Sequence, residues 1–232
     1  AASDVYKRQP ETTSERREAI EQEYEQLTRT VLDQNRDNLF GVMLLAQQLG
    51  YELSGQELLD EIAKFPAAMQ QTDALVKLKE NAEQKMKTDI GQPFIDIAQP
   101  NAGGEQVSLG SVVENPANKY VLLDFWASWC PDCRRENPNL VAAYHRFKGD
   151  NFAVLGVSLD RTREAWLKAI EKDKLEWVNV SDLKDWNSEV AVRYAIRWIP
   201  TSYLISPDGK ILAVGLEGED LVRKLAEVLE PK

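Results

Sequence analysis

The chain has 232 residues, 43% of them hydrophobic and 28% charged, which is the balance of a globular protein. Its formal net charge of −10 argues against nucleic acid or an anionic membrane as partner. No apolar run approaches the ~18 residues of a membrane span.

The chain begins without Met or a signal peptide, as a mature form or a fragment would. Residues 1–11 lack periodicity and read as disordered or as an added remnant outside the fold. Four helices are then expected. The first runs from Thr12 to about Asn38, where Thr12 and Glu15 have capping-box spacing. Ile20, Tyr24, Leu27 and Val31 give it an apolar stripe at steps of three and four. The second, Asn38 to Leu49, is apolar all round and ends at Gly50. Ser54 and Glu57 open a third through Leu58, Ile62 and Phe65, which Pro66 stops. The fourth spans Thr72 to about Met86, with Leu75, Leu78 and Ala82 inward. These helices hold no cysteine, histidine or glycine-rich loop, so they read as scaffold or partner surface.

Lys87 to Pro93 reads as a boundary, with Gly91 and Pro93 as breakers. It separates a helical N-terminal region, 1–89, from a second domain, 90–232. Phe94 to Ala98 is extended, Asn101 to Gly104 a turn, and Val107 to Leu109 extended again. Tyr120 to Phe125 is a nearly continuous apolar run, as in a strand buried on both faces. Past a helix on Leu140, Val141, Tyr144 and Phe147, Phe152 to Leu159 makes a second such strand. A helix (Arg163 to Lys172), a short strand (Trp177 to Val180), a helix (Ser188 to Ile196), a hairpin (Thr201 to Val214) and a helix (Glu219 to Leu229) complete the chain. The pattern predicts an α/β domain: a mixed sheet with helices on both faces, preceded by an all-helical region.

The only two cysteines, Cys130 and Cys133, lie three apart between the Tyr120–Phe125 strand and its helix. With Cys130 at the helix N-cap, Pro131 takes the first helical position, where its missing N–H costs nothing. Cys133 falls one turn on, on the same face. The free N–H groups and positive end of the helix favour a thiolate at Cys130, the nucleophilic form. Cys133, deeper in the helix, is then the resolving thiol. A structural disulfide is disfavoured because so small a ring removes little unfolded-state entropy. A zinc site is disfavoured because the sole histidine, His145, falls on another helix face and no further cysteine exists.

The segment Leu122 to Cys133 resembles the active-site stretch of thioredoxin. Arg134 to Pro138 and the lead-in Gly91 to Phe94 resemble the TlpA/ResA-like branch of thioredoxin-fold thiol:disulfide oxidoreductases. The likeness covers about residues 90 to 230. It implies a thioredoxin-like sheet and a cis Ile199–Pro200 bond against the dithiol, with the Ile199 backbone open to an extended substrate. Asp124, a lone carboxylate in an apolar strand, should have a raised pKa and could take the Cys133 proton. Its place matches the buried acid of thioredoxin. Glu136, three residues past Cys133, matches a glutamate of the branch that would tune the cysteines or relay protons. Trp126 and Trp129 would shape an apolar rim, while Arg134, Arg135 and His145 read as surface. Asp132 sets a negative charge near Cys130, which disfavours its thiolate and makes the pair more reducing.

The expected function is thiol–disulfide exchange with protein substrates. The likeness implies a reductant outside the cytoplasm, periplasmic or membrane-anchored, serving cell redox homeostasis. Its electrons would come from a membrane or thioredoxin-type donor. No cofactor beyond the Cys130–Cys133 pair and no metal is expected, and the N-terminal helices could mediate self-association. A peroxiredoxin-like peroxidase is the main alternative, but Ala127 stands where that class has a threonine. A non-catalytic binding or chaperone module built on the helices is the other.

Overall fold

The computed structural model describes residues 9–50 and 53–230. The chain divides into two compact units after Glu83, six residues before the boundary read from the breakers. Gln84 already belongs to the second unit, where its side-chain amide donates to the Arg193 carbonyl at 2.6 Å. Among the described residues, no helix is long and apolar enough to cross a membrane.

The first unit is all helical: α1 (Gln9–Gln34), α2 (Leu39–Leu44), a π-turn (Leu45–Leu49), α3 (Gly55–Ala63), α4 (Ala67–Gln70) and α5 (Asp73–Lys85). Residues 1–8 of the expected remnant lie outside the described residues. Gln9 to Glu11 are helical, so Thr12 lies inside α1, past the start expected for it. The Ser54–Glu57 capping box forms in both directions: Glu57 N–H donates to Ser54 Oγ at 3.3 Å, and Ser54 N–H donates to Glu57 Oε2 at 2.9 Å. The core comprises Leu32, Val42, Leu45, Leu49, Leu53, Leu58, Ile62, Phe65, Leu75, Leu78 and Ala82. The expected stripe of α1 is not part of it. Ile20, Tyr24 and Leu27 are each more than half exposed, as are Phe40 and Met43. The helix instead buries Thr28 and Leu32, near its C-terminal end. Periodicity reports that a helix has an apolar face; it does not report what covers that face.

The second unit holds a hairpin of β1 (Ala98–Pro100) and β2 (Gln106–Ser108), then a five-stranded sheet in the order β5-β4-β3-β6-β7. Its strands are β3 (Tyr120–Trp126), β4 (Phe152–Ser158), β5 (Val178–Val180), β6 (Thr201–Ile205) and β7 (Ile211–Val214). β3 is central, parallel to β4 and antiparallel to β6. Side chains alternate across it. Val121, Leu123 and Phe125 face one core, with Leu109 of α6 (Leu109–Val113) and Val190 of α9 (Glu189–Arg193). Leu122 and Trp126 face the other, with α7 (Pro131–Phe147), α8 (Arg163–Asp173) and α10 (Gly218–Leu229). The helix α6, five residues capped by Ser108, replaces the extended stretch expected at Leu109. Both sheet edges are met by irregular chain. Gln92 O and Gly91 N–H bond to Ile211 at 2.9 and 2.7 Å, and Asn101 bridges Val180.

One row of residues crosses the sheet beneath α7. In register it reads Asn179, Gly156, Asp124, Ser202. Gly156 is required by its neighbours, because a Cβ there would lie 2.3 Å from Asn179 Oδ1 and 3.2 Å from Trp126 Nε1. Those two atoms share a buried hydrogen bond of 3.1 Å, donated by the indole. Gly156→Ala is therefore expected to lower the unfolding free energy by about 1–3 kcal/mol, the usual effect of overpacking. Urea titration checks this, with a changed near-ultraviolet dichroism of Trp126 as companion signal.

Candidate active site

The dithiol stands where β3 hands over to α7. Cys130 is the N-cap of the helix, with extended backbone (φ −85°, ψ 110°), and Pro131 is the first helical residue. The Cys133 N–H donates to Cys130 Sγ at 3.0 Å. A sulfur thus fills the place of a capping oxygen, at the positive end of a 17-residue helix. Cys130 and Cys133 are joined as a disulfide, with Cα atoms 5.3 Å apart, inside the range such a bond requires. The two residues differ little in exposure, 4% against 1%. What distinguishes the sulfurs is therefore the helix end: only Cys130 Sγ receives a backbone N–H. The helix continues through Pro138, which leaves the Arg134 carbonyl without its usual helical donor.

Two networks fix the loop before the helix. Asp160, buried just past the end of β4, accepts from Ser128 N–H at 3.0 Å, from the Ser128 hydroxyl, and from Ser158 Oγ at 2.7 Å. Arg134 is not a free surface residue, as its position on the helix suggested. Its guanidinium forms a fork with Asp173 of α8 and also donates to the Ser128 carbonyl at 3.1 Å. Asn137 adds a bond to Asp173 at 2.7 Å. Burial alone would raise the Asp173 pKa, but these bonds outweigh it and hold the carboxyl below its ordinary value. Arg135 is exposed and pairs with Asp132, so the Asp132 charge expected to act on the dithiol is partly offset by a cation. His145 is exposed beside Glu176.

Across from the disulfide, the Ile199–Pro200 bond is cis. The Ile199 carbonyl oxygen lies 3.6 Å from Cys130 Sγ. An oxidised sulfur has no proton to donate, so this is a contact, and it places the Ile199 backbone against the reactive atom. Trp126 is fully buried and belongs to the core, whereas Trp129 is 47% exposed. Trp129 packs at 6.1 Å on Trp186, an exposed ring that no motif announced. Trp198, on the other side of Cys130 in the chain, is 38% exposed beneath the Lys85 ammonium.

Asp124 lies on the α7 side of β3, between Leu122 and Trp126, and is 6% exposed. With Glu136 and Leu140 of α7, Pro200, Ser202 and Glu217 it lines a small cavity. Burial, then the nearby charges of Glu136 and Glu217, push its pKa up to about 7. Glu136 reaches the head of α10, where its Oε1 accepts from Gly218 N–H at 2.7 Å. Glu217 completes the acidic group; burial first, then Glu136 and Asp132, raise its pKa. Sequence reasoning missed Glu217, Asp160 and Asp173. For Asp160 a signal existed, since in parallel neighbours the residue ending β4 must lie beside the loop ending β3.

The AhpC/TSA family profile matches residues 90–214. The thiol-disulfide oxidoreductase ResA of Bacillus subtilis (strain 168) is 26% identical over 133 residues, 56% of this chain and 70% of that protein. Sporulation thiol-disulfide oxidoreductase A of the same organism is 31% identical over 157 residues, 66% of this chain and 81% of that one. The thioredoxin domain of a thiol-disulfide oxidoreductase from Bacteroides vulgatus is similar in structure, with a TM-score of 0.56 at 38% identity. That match covers 61% of this chain and 99% of the domain. Fold, dithiol and likeness together define a thiol–disulfide oxidoreductase, an enzyme that exchanges disulfides with protein thiols. The chain belongs to the AhpC/TSA family, within which it is ResA-like.

The raised Asp124 pKa has a consequence for stability. The protonated carboxyl favours the folded state, so its contribution is complete below the ordinary value of 3.8 and is lost as pH rises through about 7. At about 1.4 kcal/mol per pH unit the loss is on the order of 4 kcal/mol. Asp124→Asn is expected to flatten this dependence and to be more stable than the parent above neutrality. Denaturant titrations of the oxidised protein at about pH 5 and about pH 8 read both effects.

Proposed function

We propose that Cys130 is the attacking thiol, Cys133 the resolving thiol and the pair itself the only redox group the enzyme needs. The observation that carries this is the Cys133 N–H bonded to Cys130 Sγ at 3.0 Å, which favours negative charge on that sulfur alone. The Cys130 thiolate attacks a substrate disulfide and forms a mixed disulfide, and Cys133 displaces the substrate. Asp124, on the same sheet face as the dithiol, takes the Cys133 proton. The Ile199 backbone beside Cys130 holds an extended substrate segment, and Trp129 with Trp186 forms its apolar border.

The carboxylates Asp124, Asp132, Glu136 and Glu217 gather on the dithiol side of the sheet. Negative charge there disfavours the thiolate and so disfavours the reduced pair, which supports a reductant. A site outside the cytoplasm, periplasmic or membrane-anchored, with a membrane or thioredoxin-type donor and a part in cell redox homeostasis, is proposed from the likeness to the ResA-like branch. Self-association through the N-terminal helices is supported by the exposed Ile20, Tyr24, Leu27, Phe40 and Met43; sedimentation at rising concentration tests it.

Reduced protein is expected to speed insulin precipitation by dithiothreitol, and Cys130→Ser to bring the rate down to background. Cys133→Ala is expected to accumulate mixed disulfides on Cys130, which mass spectrometry identifies. Cys130 should alkylate at least about tenfold faster than Cys133 near pH 7, because only its sulfur is held by the helix N–H that favours the thiolate. An equilibrium potential near the ~−120 mV of a strong oxidant would overturn the reductant assignment.

A further inference from the structure

Glu217 is the residue before α10, with extended backbone (φ −136°, ψ 158°), where a side chain commonly caps the helix. It makes no cap bond. The Gly218 N–H is taken by Glu136 Oε1, reaching across from α7, and Glu136 Oε2 accepts from Asn139 Nδ2 at 2.8 Å. Both oxygens of Glu136 are thereby engaged and its carboxyl is fixed. Glu217, relieved of the capping role, lines the cavity that also holds Asp124.

That cavity has a volume of about 10 Å³, near the least that admits one water. None of the residues lining it is basic. The charged groups acting on Glu217 are Glu136 and Asp132 of α7, with Asp124 of β3 across the cavity. Glu219 and Asp220 follow it on its own helix. Exposure is graded through the group: Asp124 is buried, Glu136 half-buried and Glu217 the most open to solvent, with its carboxyl still partly sheltered. Among the described residues no hydrogen bond to the Asp124 carboxyl is found, and burial and like charges raise its pKa.

We infer that Glu217 is the outer end of a proton path, setting the proton affinity of Asp124 and connecting that buried acid to solvent through the cavity. The inference rests on the dithiol reading given above. In the resolving step the Cys133 S–H proton passes to the Asp124 carboxylate. The Cys133–Cys130 bond forms as the Cys130–substrate bond breaks, and the substrate sulfur leaves as a thiolate that takes a proton from water. Two electrons move from the cysteine pair to the substrate. Asp124, now neutral, returns to its starting state by releasing its proton through the cavity to Glu217 and solvent. Glu217 changes only its protonation and touches no sulfur, so it is a positioning residue.

The test has one part that needs no substrate and one that does. In oxidised protein, carbon-13 resonances of the Asp124 carboxyl give its titration midpoint. In Glu217→Gln the midpoint is expected to fall by at least about half a pH unit, and in Glu217→Asp to stay near the parent, as coupled carboxyls require. In reduced protein, an aryl disulfide with a coloured thiolate product resolves two phases, attack by Cys130 and displacement by Cys133. Glu217→Gln is expected to move the pH midpoint of the second phase downward, by more than it changes the rate or midpoint of the first phase. A superimposable Asp124 titration overturns the inference. So does an unchanged second-phase profile, or an equal slowing of both phases, which marks structural damage. Absence of the second phase in the parent enzyme overturns the dithiol reading instead, while the resonance measurement still reads whether Glu217 and Asp124 are coupled.

Discussion

A helix cap made by sulfur is the interaction on which this site depends. Most helices satisfy their leading N–H groups with an oxygen from Ser, Thr, Asp or Asn. Here the acceptor is Cys130 Sγ, and the donor is the backbone of Cys133, its own redox partner. Local folding and reactivity are therefore one feature. The geometry that ends β3 and starts α7 also brings the two sulfurs together and gives one of them a partial positive charge to face.

Such a cap works only if the loop before it cannot drift. The loop is held from the sheet by Asp160, through both the N–H and the hydroxyl of Ser128. It is held from the helix layer by Arg134, which joins the Ser128 carbonyl to Asp173. Below it, the missing side chain at Gly156 lets Trp126 and Asn179 meet inside the core. These are ordinary structural bonds, placed where they constrain a reactive atom.

The central strand and its motif could be read directly from the chain, because an unbroken apolar run followed by Cys-Pro-Asp-Cys is a local signal. The Ser54–Glu57 box was equally local. What stayed hidden depends on residues far apart in sequence. Arg134 meets Asp173 across 39 positions and Ser128 meets Asp160 across 32. Glu136 meets Gly218 across 82. Helical spacing placed Glu136 one turn beyond Cys133, but nothing local could show that its carboxylate turns to another helix. Likewise, Ile20, Tyr24 and Leu27 form a genuine apolar stripe, and only the packed structure shows that the unit's own core leaves it uncovered.

The bond from Glu136 to the head of α10 ties the last helix of the chain to the first turns of the reactive one. Losing that final segment would cost more than the burial of Leu221 and Leu225. It would strip Glu136 of an N–H partner, take Leu221 from the wall over Asp124, leave Leu216 and Glu217 without the helix that follows them, and open the interior acid to bulk water. The helix α10 is thus a working boundary of the chemistry, and a truncation that removes it would change the enzyme it was meant to simplify.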